Sequence, residues 1–243
     1  MPASPVERLR ALHLGVAPGA RPLVLPGPWD AASARAFEKA GFPALATPSA
    51  GIAAALGHED GKTPAEEMFA AVARIVHAVS VPVTADVEGG YGLSPEELVA
   101  RVLRTGAVGL NLEDSDRTGG LRDPREQAER LAAVRAAAGP RLFVNARVDS
   151  YLRGGTLDDA AERARRYTAA GADCVFPILA PADDLPRLRA AGVTGPLNFL
   201  ARPGDPDFAE LGRLGATRIT FGHGLLLRTL AGVEELADEL LRA

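Results

Sequence analysis

Short apolar runs alternate with longer amphipathic segments along most of the chain. Many runs contain β-branched residues and are bounded by proline, glycine or polar residues, which is typical of strands. The segments between them carry apolar residues at helical spacing, as in PEELVARVLRTG and LDDAAERARRYTAAG. Eight runs are predicted as strands: 22–26, 44–47, 81–87, 108–114, 141–148, 174–178, 196–201 and 218–222.

The ends of the predicted helices also follow a pattern. Ser94-Pro95 and Asp123-Pro124 each offer a capping side chain and a proline for the first helical turn. Glycines follow several helical segments shortly before the next strand, where a left-handed residue can end a helix. These glycines are Gly41, Gly106, Gly171, Gly192 and Gly215.

Nearly continuous apolar strands that alternate with helices favour a parallel sheet covered on its faces. Eight such units favour a closed barrel. We therefore predict an α/β fold, a single (β/α)8 TIM barrel domain over residues 1–243, with a helix at 5–13 that caps the N-terminal end. A doubly wound open sheet is the alternative, but LPGPWD at 25–30 is not the glycine-rich first turn typical of that fold.

Charge and cysteine content limit the classes of function. The net charge is −4 with acids and bases interspersed, so no basic surface for nucleic acid is expected. A single cysteine excludes an internal disulfide and fits a reducing compartment. The N-terminus lacks the apolar core of a signal peptide, and no apolar run approaches the roughly 18 residues of a membrane span. We predict a cytoplasmic protein with no nucleic-acid or membrane partner.

Polar residues gather where the predicted strands end, which is the side of a barrel that carries the active site. Crowded carboxylates are costly unless a proton, an arginine or a cation neutralises them. Asp86 and Glu88, with Glu113 on the next strand, offer the hard oxygen ligands that Mg²⁺ or Mn²⁺ prefers, partly through water. The alternative is that these acids cap helices or lie on the rim of the barrel. The full set of polar residues at or just after the ends of the predicted strands is Trp29, Asp30, Thr47, Ser49, His58, Asp60, Asp86, Glu88, Glu113, Asp114, Arg147, Asp149 and Asn198.

Five segments resemble, in order, the isocitrate lyase/phosphoenolpyruvate mutase superfamily. They are WDAASARAFEKAGFPAL, SAGIAAALGHEDG, ADVEGGYG, GLNLEDS and VNARVDSY, within residues 22–155. The resemblance implies a (β/α)8 barrel that binds Mg²⁺ and a small 2-oxo or 2-hydroxy acid. It also implies C–C or C–P bond chemistry through a pyruvate-enolate-like species, and tetramers that exchange a C-terminal helix.

The resemblance implies roles for the charged residues. Asp86 would be the direct metal ligand, and Glu88 and Glu113 would hold metal-bound waters. Asp60 would lie beside the metal near the reacting group. Arg147 would pair with the substrate carboxylate or with the developing enolate.

The resemblance also implies contacts to the substrate. The turn Pro48, Ser49 and Ala50 would cradle a carboxylate or phosphonate, and Asn198 would contact the substrate from the seventh strand. Trp29, next to Asp30, either lines the pocket or fills the top of the barrel, and we take both as candidate substrate contacts.

The loop after the fourth strand departs from the lyases of the superfamily. It reads SDRTGGLRDP (115–124), without the Lys-Lys-Cys-Gly-His segment of the lyases or the lysine-containing gating loop of the mutases. The proton-donating thiol is therefore missing. Pro177 and Ile178 stand where mutases have a histidine and methylisocitrate lyases a glutamate. Arg117 and Arg122 either reach the substrate in a closed state or lie on the solvated rim.

For His58, His223 and the 114–124 loop, the sequence leaves two interpretations open. His58, two residues before Asp60, is either a general acid or a solvated loop residue. His223 opens the last predicted helix, whose start could bind an anion or simply face solvent. The 114–124 loop either closes over the site as a lid or stays open.

Together these features predict a Mg²⁺-dependent lyase or decarboxylase that cleaves a C–C bond of a small 2-oxo or 2-hydroxy carboxylic acid. Loss of CO₂ needs only an electron sink, whereas a lyase also needs a base and an acid. The alternative is an oxaloacetate or phosphonopyruvate hydrolase, or a phosphonomutase, on the same metal site. The alternative of another class is a barrel that binds an oxo acid without turnover. We expect a homo-oligomer, either a dimer or a tetramer.

Overall fold

The computed structural model describes residues 3–17, 19–116 and 118–243, and within them it confirms all eight predicted strands. Each strand is shorter than its apolar run; β1 is the shortest, and the prolines at 22 and 26 that flank it have no N–H to donate. The strands are β1 (Leu23–Val24), β2 (Leu45–Thr47), β3 (Val83–Asp86), β4 (Gly109–Glu113), β5 (Phe143–Val148), β6 (Cys174–Pro177), β7 (Asn198–Leu200) and β8 (Arg218–Thr220).

The strands are parallel and follow one another around a closed ring. One sheet runs from β2 to β6 in chain order, and another joins β1, β8 and β7. A bridge between Val175 and Leu197 connects β6 to β7. The ring closes where the Ala46 backbone N–H donates to the Pro26 carbonyl, at 3.1 Å, between β2 and β1. The fold is therefore the predicted (β/α)8 barrel; the assignment of residues 1–243 to one domain stays a prediction.

The helices lie between the strands, with the predicted caps in place. Ser94 Oγ accepts from the Glu97 N–H at 3.2 Å, and Gly106 ends the same helix with a φ of 83°. Within the described residues, no helix is long and apolar enough to cross a membrane. The helices are α1 (Pro5–Leu14), α2 (Ala31–Lys39), α3 (Ser49–Leu56), α4 (Ala65–His77), α5 (Pro95–Thr105), α6 (Pro124–Ala138), α7 (Leu157–Ala169), α8 (Leu185–Ala190), α9 (Phe208–Leu214) and α10 (Gly224–Arg242).

Helix α1 covers the N-terminal end of the barrel, as predicted. Leu9 is fully buried and belongs to a small apolar cluster with residues from the lower ends of the strands. The His13 ring stacks on Phe143 with a centroid distance of 4.1 Å, and its Nδ1–H donates to the Leu9 carbonyl at 2.8 Å. The opposite, C-terminal end of the barrel is left for the site.

The buried His13 gives a prediction about stability in acid. Burial, with the positive charge of Arg218, lowers the pKa of His13 to about 3. In the unfolded chain His13 takes up a proton near pH 6.5, so its contribution is present above that pH and is lost as the pH falls toward 3. When the pH is lowered from 7 to 4, the free energy of unfolding of His13→Phe is expected to rise by about 3 kcal/mol relative to that of the wild type. Urea unfolding at both pH values checks this, with the exposed His77→Gln as a control that should show no such gain.

Candidate active site

A cavity of about 240 Å³ lies at the C-terminal ends of the strands. Its polar lining comes from β2, β3, β4, β5 and β8 and the loops that follow. These residues are Thr47, Ser49, Asp60, Asp86, Asn111, Arg147, Thr220 and His223. A larger, more open groove of about 720 Å³ lies against α1 at the other end of the barrel, but no acidic residue lines it. The smaller cavity, which holds the predicted acids Asp60 and Asp86, is therefore the candidate site.

Asp86 ends β3 and is held by neutral donors. Ser49 Oγ donates to Asp86 Oδ2 at 3.1 Å, and the Glu88 backbone N–H donates to Oδ1 at 3.1 Å. Burial raises the pKa of Asp86, while Arg147 opposes this shift. The carboxylate thus has partners that fix its orientation, and it forms no direct ion pair with any described residue.

Glu88 follows Asp86 by two residues in a strained turn. Its φ is 50°, in the left-handed region that side chains rarely adopt, and such strain is typical of functional sites. Its Oε1 is buried without a hydrogen-bond partner among the described residues. Burial, together with the negative charges of Asp86 and Asp60, raises the pKa of Glu88 to about 7. Additional positive charge is needed to keep these carboxylates ionised together.

Arg147 is paired on both sides. Its Nη1 contacts Glu113 Oε2 at 2.6 Å, and its Nε and Nη2 donate to the two oxygens of Asp149 at 2.7 and 3.1 Å. Burial raises the pKa of Glu113 more than Arg147 lowers it. The planar guanidinium is therefore fixed in one orientation at the cavity wall.

A buried network holds Asp149 in turn. Asp114 Oδ1 accepts from the Asp149 backbone N–H at 2.8 Å, and Ser115 Oγ donates to Asp149 Oδ2 at 2.6 Å. Asp114 Oδ2 accepts from the Tyr167 hydroxyl at 2.7 Å and from Arg163 at 3.1 Å. Asp114 and Asp149, noted in the sequence only as polar strand ends, support Arg147 from behind.

The donor set suits a hard divalent cation held by few protein atoms. In the described ranges, no three carboxylate, histidine or thiol groups converge closely enough to form a complete ligand shell. Asp86 lines the cavity, whereas Glu88 and Glu113 are not among the lining residues but lie close enough to Asp86 for its charge to raise the pKa of each. This arrangement matches one direct carboxylate ligand with others acting through water, which is common for Mg²⁺.

The structure brings some predicted substrate contacts to the cavity and places others away from it. Pro48, Ser49 and Ala50 line it at the start of α3, as does Asp60. Asn198 is buried and its amide exchanges hydrogen bonds with Thr220, which does line the cavity.

The two candidate residues that follow β1, Trp29 and Asp30, contact helix α2. The Asp30 carboxylate accepts from the Ser33 N–H at 2.7 Å and caps α2. Trp29 packs edge-on against Phe37, with a centroid distance of 6.4 Å. Neither residue lines the cavity, so their roles as substrate contacts stay predictions.

The two candidate histidines and the 114–124 loop differ in their position relative to the cavity. His58 Nε2 lies 3.0 Å from Glu67 Oε2 and is absent from the cavity lining, whereas His223 is part of it. The 114–124 loop folds back on itself through a bridge between Ser115 and Leu121, and its described residues do not line the cavity. Arg117 lies outside the described residues.

Sequence reasoning missed Thr220 on β8 and two further parts of the lining. Asn111 lies two residues before Glu113, and strand alternation would have placed both side chains on one face. The other part is an apolar wall along β5, β6 and β7, formed by Leu152, Phe176, Ile178, Leu179 and Leu200. Leu179 has a φ of 61°, which no pattern in the sequence indicates.

The fold and the cavity define a (β/α)8 barrel with an acidic pocket at the C-terminal ends of its strands. The chain belongs to the phosphoenolpyruvate phosphomutase family, whose model matches residues 9–241, and so to the isocitrate lyase/phosphoenolpyruvate mutase superfamily. Named relatives of this chain are lyases, mutases and hydrolases.

Two relatives illustrate the sequence similarity. An uncharacterized protein of Mycobacterium tuberculosis is 36% identical over 213 residues, covering 86% of this chain and 79% of that protein. The 2-methylisocitrate lyase of Halalkalibacterium halodurans is 31% identical over 186 residues, covering 72% of this chain and 61% of the lyase.

Solved structures share the whole barrel. A structure from Burkholderia cenocepacia J2315, provisionally described as a phosphonomutase, is 40% identical with a TM-score of 0.88, covering 97% of this chain and 98% of that one. A 2,3-dimethylmalate lyase is 26% identical with a TM-score of 0.87, covering 99% and 89%. An oxaloacetate acetylhydrolase solved with its product oxalate is 25% identical with a TM-score of 0.86, covering 98% and 86%.

Proposed function

We propose that this chain is a Mg²⁺- or Mn²⁺-dependent decarboxylase or C–C lyase that acts on a small 2-oxo or 2-hydroxy acid. The observation that carries the proposal is the division of the cavity: carboxylates and Arg147 on one side, and the apolar wall on the other. One side suits the oxygens at carbons 1 and 2 of an oxo acid, and the other suits the part of the substrate that leaves.

The polar side supplies the electron sink. A divalent cation held by Asp86, and through water by Glu88 and Glu113, would polarise the substrate carbonyl and offset the charge that develops on it. Arg147, held by Glu113 and Asp149, presents a fixed positive group toward the same oxygens. Ser49 keeps the Asp86 carboxylate oriented.

The apolar wall favours loss of CO₂ over the alternatives. A leaving carboxylate that faces Phe176, Ile178 and Leu179 loses its hydration, and this destabilises the charged group relative to neutral CO₂. The bond from carbon 3 to that carboxyl breaks, its electron pair moves toward the carbonyl, and carbon 3 then takes a proton from water. No additional base is needed.

A lyase that releases glyoxylate has less support. Its carbanion product needs a proton donor, and the lone thiol, Cys174, is buried in the lower barrel with its pKa raised by burial to about 12. Hydrolysis is the second candidate, because the exposed Asp60 carboxylate lies in the cavity and could orient a water.

Product analysis separates these reactions. Purified protein with oxaloacetate and Mg²⁺ is expected to release pyruvate faster than the enzyme-free mixture, as measured by proton NMR. Oxalate with acetate would instead indicate the hydrolase. If EDTA changes nothing and no oxo acid raises the melting temperature, the enzymatic proposal fails.

We further propose that α10 mediates self-association. One chain leaves a row of apolar side chains on this helix exposed, and an exposed contiguous apolar patch is typical of an interaction surface. The row consists of Leu227, Leu230, Val233, Leu236, Leu240 and Leu241.

The row gives a prediction about mass in solution. We expect the wild type to elute as a multiple of 25.3 kDa in light-scattering chromatography. The double variant Leu230→Glu with Leu236→Glu is expected to elute as the 25.3 kDa monomer, because four buried charges would disrupt a dimer contact. The exposed Glu234→Gln on the same helix should leave the mass unchanged. A monomeric wild type would contradict the prediction.

A further inference from the structure

A fully buried arginine crosses the interior of the barrel below the cavity. Arg218 begins β8, and its Nη2 donates to Asn111 Oδ1 on β4, the opposite strand of the ring, at 3.3 Å. No carboxylate among the described residues pairs with this guanidinium, and its Nε and Nη1 have no acceptor there. Barrel interiors of this fold are usually filled by branched apolar side chains. A buried, unpaired cation is costly, so packing alone does not account for it.

Asn111 receives a second hydrogen bond at the same oxygen. Asn145 on β5 donates through Nδ2 to Asn111 Oδ1 at 2.8 Å. Because a guanidinium can only donate, the atom that faces Arg218 must be the amide oxygen of Asn111. Both lone pairs of that oxygen are therefore used, and the two donors fix the orientation of the amide.

The fixed oxygen determines where the amide nitrogen lies. Asn111 lines the cavity and pairs in register with Asp86 on the neighbouring strand. Its Nδ2 donates to no protein group in the described part of the chain. With the oxygen held below by Arg218 and Asn145, the N–H groups are left for an acceptor in the cavity.

We propose that Asn111 donates a hydrogen bond to an oxygen of the bound acid and that Arg218 is the positioning residue that fixes this donor. The inference rests on the proposed function, since it assigns the substrate contact within the same site. It predicts selectivity for ligands with an acceptor oxygen next to the Asp86 carboxylate, because a buried donor left unpaired is penalised.

Oxalate binding in the presence of Mg²⁺, measured by calorimetry, tests the proposal without turnover. Asn111→Ala and Arg218→Met are each expected to weaken oxalate binding roughly 10- to 100-fold, the range for a hydrogen bond to a charged group. The variant that carries both substitutions should bind oxalate no more weakly than whichever single variant has the lower oxalate affinity, because Arg218 acts through Asn111. Arg218→Lys, which keeps a donor, should recover part of the affinity.

A matched control separates positioning from stability. Arg189 bonds the Gly215 and Val193 carbonyls on the N-terminal side of the barrel, so Arg189→Met should reduce stability and leave oxalate affinity unchanged. Wild-type affinity in Asn111→Ala, or multiplicative losses in the double variant, would overturn the inference while the proposed function stands. If Arg218→Met does not fold, the test rests on Asn111→Ala and the isosteric Asn111→Asp. Both variants should weaken oxalate binding. A wild type that binds no oxalate would instead overturn the proposed function and this inference with it.

Discussion

Replacement of Asp86 by alanine is expected to abolish divalent-metal binding and to reduce turnover by about a thousandfold, equivalent to about 4 kcal/mol of transition-state stabilisation. Asp86 is a cavity-lining carboxylate at the end of β3, and among the described residues its side chain is bonded only by neutral donors. The substitution also relieves the charge repulsion that Asp86 exerts on Glu88 and Glu113. The fold should therefore survive, with a melting temperature at or above that of the wild type.

Mn²⁺ titration followed by electron paramagnetic resonance measures the binding directly, independently of any substrate. The exposed Asp158→Ala on α7 removes a carboxylate outside the cavity and should leave Mn²⁺ affinity unchanged. Retention of wild-type metal affinity by Asp86→Ala would contradict the prediction and show that another group is the metal ligand.

Arg147→Lys is expected to lower kcat/KM by about 100- to 1000-fold, the usual effect of removing one preorganised charge-stabilising group. The guanidinium bonds Asp149 through two nitrogens and Glu113 through a third. An ammonium cannot reproduce this planar fork, so both carboxylates lose part of their pairing. We expect the melting temperature to fall as well, because the buried Asp149 and the partly buried Glu113 lose part of their compensating charge.

Steady-state kinetics with oxaloacetate, alongside thermal unfolding, checks this prediction. Arg101 provides a matched control, since it also pairs with two carboxylates, Glu66 and Glu97, but lies outside the cavity. Arg101→Lys should change neither kcat/KM nor the melting temperature appreciably. Equal kinetic effects in the two variants would indicate that Arg147 acts through stability alone.

Much of the fold was predictable because local signals agreed. Each βα unit carries its own apolar strand, several also carry a capped helix start and a glycine after the helix, and the predicted strands all formed. Two things were less accessible. Helix α3 starts directly after β2 without a side-chain cap, so the sequence did not separate it from the following loop. The two-residue β1 is defined by its pairing with β8.

The candidate site also contains residues that the sequence predicted and residues whose roles only the tertiary contacts assign. Asp60, Asp86, Arg147 and the 48–50 turn were predicted from the sequence and lie at the cavity. Glu88 and Glu113 lie close enough to Asp86 for their charges to interact. Trp29 and Asp30 precede a helix start, and Asp30 is used there as its cap. A polar residue at a strand end can serve either purpose, and only the tertiary contacts distinguish them.

The sequence by itself determined the repeating βα architecture, the edge of the barrel that holds the acids, and the family to which the chain belongs. These depend on periodicity and on motifs that lie within a few residues of one another. The tertiary structure alone decided which acids are paired, which wall is apolar, and that Arg218 reaches Asn111 across the barrel, 107 positions away. Such contacts arise because a closed ring brings opposite strands together, and nothing local in the chain records that approach.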